Sequence, residues 1–363
     1  MPAAQTLLNG ICPYFTMFPL EFPQRILKRA RKGDLVLDPF CGRGTTGFAA
    51  RIAGLSSMGV DASPVASAIT ASKLVFVSAE EVINEARSIL YSYPEVPTPQ
   101  DEFWQWAYHP DVLQSICRLR QALLEDCSTT NRQALRGILL GALHGPQQKT
   151  IQSYFSNQCP RTYAPKPRYA TNFWKERGMY PAKVDVLEVI ARRALRYYTH
   201  QIKTVGVARL GDSREPESLE PHLSGRKYSW IITSPPYYGM KTYIPDQWLR
   251  NWFVGGTSSV QYESPLQLLH GGPEIFSSDL NKVWRNSAAV AADNARLVIR
   301  FGGISDRRAD PVVLIKSSLN ESGWKVTRIK TAGTAMEGKR QADSFLRVKS
   351  NPVVEIDVWA TRD

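Results

Sequence analysis

Leu35-Val36-Leu37-Asp38-Pro39-Phe40-Cys41-Gly42-Arg43-Gly44-Thr45-Thr46 is the stretch that decides the fold. Three apolar residues ending in an acid read as a buried strand, and the glycine-bearing loop leads into a small-residue, helix-compatible segment, Thr46–Ala53. A second run of the same build lies far downstream, where Trp230-Ile231-Ile232 delivers Thr233-Ser234-Pro235-Pro236-Tyr237. Open α/β sheets place ligands beyond the carboxyl ends of parallel strands, so both loops are expected at one sheet edge.

Working outward, strands are expected at Asp34–Asp38, Ser57–Asp61, Val205–Asp212, Ser229–Thr233 and Arg296–Phe301. Ser63-Pro64 reads as an N-cap followed by proline at the first helical position. Asp310-Pro311 opens a helix through about Leu319, and Lys325–Lys330 with Val353–Trp359 are expected to close the sheet as an antiparallel hairpin. Between the halves, Val112, Leu113, Ile116, Leu119 and Leu123 recur at helical spacing, and a helix is expected over Val184–Tyr198. The stretch Asn157 to Pro181 reads as irregular. The expected division is therefore a core in two parts, residues 1–77 and 205–363, around a mainly helical insert at 78–204.

Composition bounds the class. The chain has 363 residues, of which 43% are apolar and 21% charged, an ordinary globular balance. No apolar run approaches the roughly 18 residues that span a bilayer, so no membrane association is expected. The start, Met1-Pro-Ala-Ala-Gln, lacks the layout of a secretory signal, so a cytoplasmic location is expected. Five scattered cysteines and five histidines show neither a disulfide framework nor metal-ligand spacing. The net charge is +12, and a basic surface favours polyanions through counterion release. That charge is concentrated. Residues 76–130 hold three Lys and Arg against nine acids, while 131–205 hold thirteen against three.

Each motif has a plain and a chemical reading. A tight turn explains Gly42 and Gly44 but not the acids at two successive strand ends. Asp38 can hold a cationic amino group, the glycines let a ligand approach the backbone, and the helix start offers free N–H groups to a carboxylate. Asp61, about 20 residues on, can accept bonds from ribose hydroxyls. The absence of lysine from the loop argues against a phosphate cradle. Pro235-Pro236 can be a stiff turn alone. Chemically, an exocyclic amine becomes nucleophilic when acceptors take both of its hydrogens, and Tyr237 offers a face for stacking a base. The segment with Arg161, Lys166, Arg168, Tyr169 and Lys175 interleaves cations with aromatics. It is either a solvated loop or a nucleic-acid surface.

Together the two loops resemble the signature loops of the S-adenosylmethionine-dependent DNA amino-methyltransferases. The resemblance implies an α/β, Rossmann-like methyltransferase sheet, mostly parallel with an antiparallel C-terminal hairpin. It implies S-adenosylmethionine as cofactor, held by Asp38, Phe40, Cys41, Gly42, Gly44, Thr45 and Asp61. Asp212 would bond the adenine amine, and Thr16, in Tyr14–Pro19, belongs to an element that closes over the methionine end. Ser234, Pro235, Pro236 and Tyr237 would form the catalytic loop, with the Ser234 hydroxyl and the Pro235 carbonyl taking the amine hydrogens. The Ser-Pro-Pro-Tyr form points to cytosine N4, while related loops serve adenine N6, RNA or protein. Carbon-5 chemistry needs a cysteine nucleophile, and no Pro-Cys occurs. The expectation is a sequence-specific methyltransferase of double-stranded DNA, in a prokaryotic restriction–modification or defence setting with cognate subunits as partners. A non-catalytic DNA-binding subunit of a defence system is the alternative from another class.

Overall fold

The structure is a computed structural model that describes residues 4–13, 18–148, 150–200, 202–239, 245–261, 268, 272–303, 309–334 and 354–362. It divides into two compact units. One comprises residues 15–70, 204–242 and 265–363, and the other residues 1–14, 71–203 and 243–264. Strands are β1 (Leu35–Asp38), β2 (Ser56–Asp61), β3 (Val207–Leu210), β4 (Tyr228–Thr233), β5 (Ala291–Gly302), β6 (Trp324–Thr334) and β7 (Val354–Arg362). Helices are α1 (Glu21–Leu27), α2 (Thr45–Ile52), α3 (Pro64–Leu74), α4 (Ala79–Ser92), α5 (Glu102–Ala107), α6 (Pro110–Glu125), α7 (Thr130–Ala142), α8 (Pro167–Glu176), α9 (Val186–Tyr198), α10 (Trp248–Phe253), α11 (Pro273–Ala289) and α12 (Pro311–Leu319).

The first unit is built on one seven-stranded sheet of order β3-β2-β1-β4-β5-β7-β6. The pairs from β3 to β5 are parallel, and β7 runs antiparallel between β5 and β6. This is the expected mostly parallel sheet with an antiparallel C-terminal pair. Strand order reverses direction between β1 and β4, and that switch point opens the crevice where such sheets hold ligands. Leu35, Leu37, Ile231, Leu297, Ile299 and Val358 of the sheet share one buried cluster with Phe276, Leu280 and Trp284 of α11 and Leu314 and Ile315 of α12. The buried Trp284 indole is satisfied by donating to Ser318 Oγ at 3.0 Å, as a buried N–H requires. β5 begins at Ala291 rather than at Arg296, because Tyr228 pairs with Ala291 across a bulge before Trp230.

The second unit is helical. α6 buries Val112, Leu113, Ile116, Leu119 and Leu123 on one face, as their spacing requires. The segment expected to be irregular contains α8, which starts at Pro167 and buries Ala170, Thr171 and Trp174. Its 3–4 spacing is masked in sequence by the interleaved cations. Residues 243–264, expected in the core, belong to this unit. The fully buried Arg250 explains why. Its guanidinium donates to the carbonyls of Leu140, Arg161 and Thr162 and to Gln247 Oε1, tying α10 to α7 and to the 161–162 loop. Trp252 packs on Trp104 at 4.4 Å between ring centroids, extending the same core. No helix among the described residues is long and apolar enough to cross a membrane.

Gly59 in β2 shows how tightly the sheet holds the loop after β1. A Cβ at residue 59 would lie 2.7 Å from Cys41 Cβ, closer than carbon atoms approach. Gly59→Ala is therefore expected to lower stability by about 1–3 kcal/mol through overpacking, read as an earlier urea midpoint. An unchanged midpoint would show that the Cys41 loop yields freely.

Candidate active site

β1 and β4 lie side by side and parallel, so the loops that follow them emerge at the same edge. The junction is a direct bond: Thr233 Oγ1, one residue before Ser234, donates to Asp38 Oδ1 at 2.6 Å. Asp38 also accepts from the Phe40 amide at 3.1 Å and takes a bond from the Thr46 side chain. Thr46 Oγ1 also lies 3.1 Å from the Ile232 carbonyl, so its one proton is shared between Asp38 and Ile232, fastening the start of α2 to β4. Thr46 and Thr233 are thus site residues that motif reading passed over. Their sequence signal is a hydroxyl beside each motif, one after Thr45 and one before Ser234.

The two glycines divide the work. Gly44, at the start of α2, has φ +77°, and a Cβ there would come within 2.7 Å of Thr70 Oγ1. Its bareness serves α3, not a ligand. Gly42 has φ +51° and nothing within 4 Å of a Cβ position, so it faces open space. Its amide donates to Asp61 Oδ2 at 2.8 Å, while the Ser63 amide donates to Asp61 Oδ1 at 2.9 Å. The carboxylate at the tip of β2 therefore braces the loop after β1. Cys41 turns inward: it is buried, its sulfur lies 3.6 Å from Thr70 Oγ1, and burial pushes its thiol well above the usual range. Its backbone is engaged as well: the amide donates to the Val60 carbonyl at 3.0 Å and the carbonyl accepts from the Gly44 amide at 2.7 Å. Thr45 is buried in the first turn of α2, and half-buried Phe40 meets Trp284 edge-on at 6.1 Å.

Asp212, just beyond β3, is engaged more heavily than its sequence setting suggests. Arg214 bonds both of its oxygens, through Nε at 3.0 Å and through Nη2 at 2.6 Å, and also reaches Asp279 at 2.9 Å. Burial raises the Asp212 pKa, but these bonds outweigh it and leave a net lowering. Ser213 Oγ donates to the Pro39 carbonyl at 2.7 Å, joining the β3 and β1 loops. In the catalytic loop, Pro235 is buried while Ser234, Pro236 and Tyr237 are half-buried. Tyr237 donates its hydroxyl to Glu355 Oε1 at 2.9 Å and meets Phe301 edge-on at 5.5 Å. Thr16 lies outside the described residues.

Electrostatics set the first two strand tips apart. Burial pushes the Asp38 carboxyl up to about 6, against the pull of Thr233, Thr46 and the Phe40 amide, and nearby Asp61 pushes it the same way. Burial also raises Asp61, partly offset by the Ser63 and Gly42 amides. Among the described residues no cation contributes to either shift. Buried Asp38 beside half-buried Asp61, with no cation in contact among the described residues, suits the ammonium group of S-adenosylmethionine, and open Gly42 suits its close approach. Asp38 would hold that ammonium group, and Asp61 the ribose hydroxyls. Among the described residues no cluster of His, Cys, Asp or Glu is built for a metal, and all five cysteines are free.

On the surface of the helical unit, Arg161, Lys166 and Arg168 are exposed, and Tyr169 is 69% exposed. Lys175 pairs with Glu102, which reduces its free charge. Tyr180, 74% exposed, stacks on Trp106 with centroids 5.2 Å apart, a second aromatic face that motif reading missed.

The Asp38 shift has a signed consequence. An acid raised from 3.8 to about 6 holds its proton more firmly when folded, so without ligand its contribution to stability falls as pH rises through that window. An ammonium group placed against the carboxylate favours the charged form. Calorimetric titration with S-adenosylhomocysteine is expected to show affinity rising from pH 5 to pH 7, by up to about tenfold per unit below the pKa. Asp38→Asn is expected to bind weakly throughout with a flat profile. A flat profile in the wild-type protein would place the amino group elsewhere.

Among curated proteins none matches the chain in sequence. Solved structures to which the chain is distantly similar include an rRNA methyltransferase, aviRa, from Streptomyces viridochromogenes, with 13% identity, TM-score 0.36, and coverage of 98% of this chain and 93% of that one. A methyltransferase from Methanosarcina mazei gives 8% identity, TM-score 0.36, and coverage of 96% and 99%. The magnesium protoporphyrin IX methyltransferase of Synechocystis gives 11% identity, TM-score 0.32, and coverage of 99% and 79%. Likenesses this distant bear on neither substrate nor mechanism. The model of the N6/N4-type family described as DNA methylase matches residues 5–72, the segment that holds Asp38, Gly42, Gly44 and Asp61. Over residues 5–72 the chain is therefore similar to the N4-cytosine/N6-adenine type of DNA methylase.

Proposed function

We propose that the chain is a sequence-specific DNA methyltransferase that takes its methyl group from S-adenosylmethionine and attaches it to the exocyclic N4 amine of an extruded cytosine. The observation that carries this reading is the 2.6 Å bond between Thr233 and Asp38, because it ties the amine-binding loop to the acid suited to the methyl donor. The cofactor supplies an electrophilic methyl group on a cationic sulfur. The chain's own task is to make a poor nucleophile competent. Ser234 Oγ and the Pro235 carbonyl accept the two amine hydrogens, which draws the nitrogen lone pair out of the ring. The two prolines stiffen this loop and remove amide donors that would compete for the same acceptors. Tyr237 stacks the base, which must leave the duplex before its amine can be reached. A cysteine-dependent attack on ring carbon has no support in the loop, since Cys41 is turned into the protein with its thiol pushed up.

Ser234 favours cytosine over adenine by its resemblance to the Ser-Pro-Pro-Tyr form. DNA contact is proposed for the exposed Arg161, Lys166, Arg168 and Tyr169, with Lys175 contributing less because Glu102 already neutralises it. Double-stranded DNA is the proposed partner, with a cytoplasmic, prokaryotic restriction or defence system as the setting.

Expression in cells lacking amino-methylated bases is expected to produce N4-methylcytosine in digested DNA, detected by mass spectrometry. N6-methyladenine instead would transfer the proposal to the other base. Labelling of RNA or protein but not DNA would overturn it. Each phosphate contact contributes about 0.9 to the slope of log affinity against log salt. Replacing Arg161, Lys166 and Arg168 by alanine is therefore expected to flatten that slope by about 2–3 units, and Lys175→Ala to flatten it less. An unchanged slope would return this segment to a solvated surface.

A further inference from the structure

Tyr237 sits in a seat made by the far end of the chain. Its hydroxyl donates to Glu355 of β7, 118 positions away in sequence, at 2.9 Å. Glu355 pairs in the ladder with Gly302, the last residue of β5. Gly302 has to be bare where the ring lies: a Cβ there would come within 2.9 Å of Tyr237 Cε2, 3.1 Å of Cζ and 3.3 Å of Glu355 Cγ. Phe301, the preceding residue, meets the same ring edge-on at 5.5 Å. Residues 234–237 belong to no strand or helix, so no backbone ladder fixes this side chain. A carboxylate acceptor, a gap of glycine size and an aromatic edge together define one ring position.

We propose that Glu355 and Gly302 are positioning residues for methyl transfer, holding the Tyr237 ring where the extruded base stacks on it. This rests on the functional reading above. Stacking aligns the amine with Ser234 and the Pro235 carbonyl only when the ring plane is fixed, and misplacement by about 1 Å can cost roughly 100-fold in rate. Glu355 touches neither the base nor the methyl donor and acts through Tyr237. The hydrogen bond needs an acceptor on residue 355, not a charge, so glutamine can replace glutamate.

The test uses the full chain, tritiated S-adenosylmethionine and genomic DNA from a strain without amino-methylation. Glu355→Ala and Tyr237→Phe, which remove the same bond from its two sides, are each expected to lower kcat about 10- to 100-fold. Affinity for S-adenosylhomocysteine is expected to stay unchanged in both. Glu355→Gln is expected within about threefold of wild type, and the double variant to be no slower than the slower single one. Gly302→Ala, which pushes on the ring without touching the bond, is expected to lower kcat in the same way. If Glu355→Ala does not fold, Tyr237→Phe and Glu355→Gln read the same bond with β7 otherwise intact. Wild-type kcat in Glu355→Ala, or losses that multiply in the double variant, would overturn the inference alone. A wild-type chain that methylates no DNA would overturn the functional reading and the inference with it.

Discussion

The burial of the Asp38 carboxylate without a cation is the constraint on which the rest of the site depends. A charge removed from water is costly unless hydrogen bonds or a counter-charge compensate. Here two threonine hydroxyls and one amide supply part of that compensation. Thr233 comes from the neighbouring strand and Thr46 from the first turn of α2, so strand, helix and catalytic loop converge on one side chain. The remaining cost appears as the raised pKa. A structure that keeps such a group at a strand tip, beside a second raised acid, is arranged to receive positive charge.

The surrounding loop is rigid for reasons that have little to do with ligand contact. Gly44 is bare because Thr70 fills the space, and Gly59 is bare because Cys41 does. Asp61 is anchored by two backbone amides before any ligand arrives. Much of the motif is thus internal scaffolding. What faces outward is the open side of Gly42 and the half-buried Asp61. A site held this way presents its acceptors without rearrangement, which is how preorganised sites avoid an entropic cost on binding.

The sheet was legible because β1 and β4 carry short apolar runs bounded by turn residues, and because acids and glycines mark the tips of β1 and β2. The helical face of α6 was legible for the same kind of reason, a 3–4 repeat of large apolar residues. What stayed hidden depends on the order in which strands pair, which no local pattern encodes. Glu355 reaches Tyr237 only because β7 inserts between β5 and β6. Residues 243–264 join the helical unit because one buried arginine finds its carbonyls there. In α8 the repeat was present but overlaid by cations, so composition suggested an irregular loop. Arg214 was hidden differently: Asp212 alone looked like a free acceptor, and two residues on stands the cation that occupies it.

That occupied acid gives the site a direction. Three carboxylates lie at the tips of adjacent strands in the order Asp212, Asp61, Asp38, from the edge of the sheet inward. Asp212 is already neutralised by Arg214, and its pKa is lowered; Asp61 and Asp38 have no cation, and theirs are raised. Charge compensation therefore differs along this edge: Arg214 supplies it at β3, while hydroxyl and amide donors supply it at β1 and β2. A ligand with one cationic end and one neutral heterocyclic end lowers its energy by placing the cation at β1 and the heterocycle at β3. The reverse orientation would set a cation beside Arg214 and leave Asp38 uncompensated. In that orientation the cationic end would lie at the strand tip that Thr233 joins to the loop beginning at Ser234.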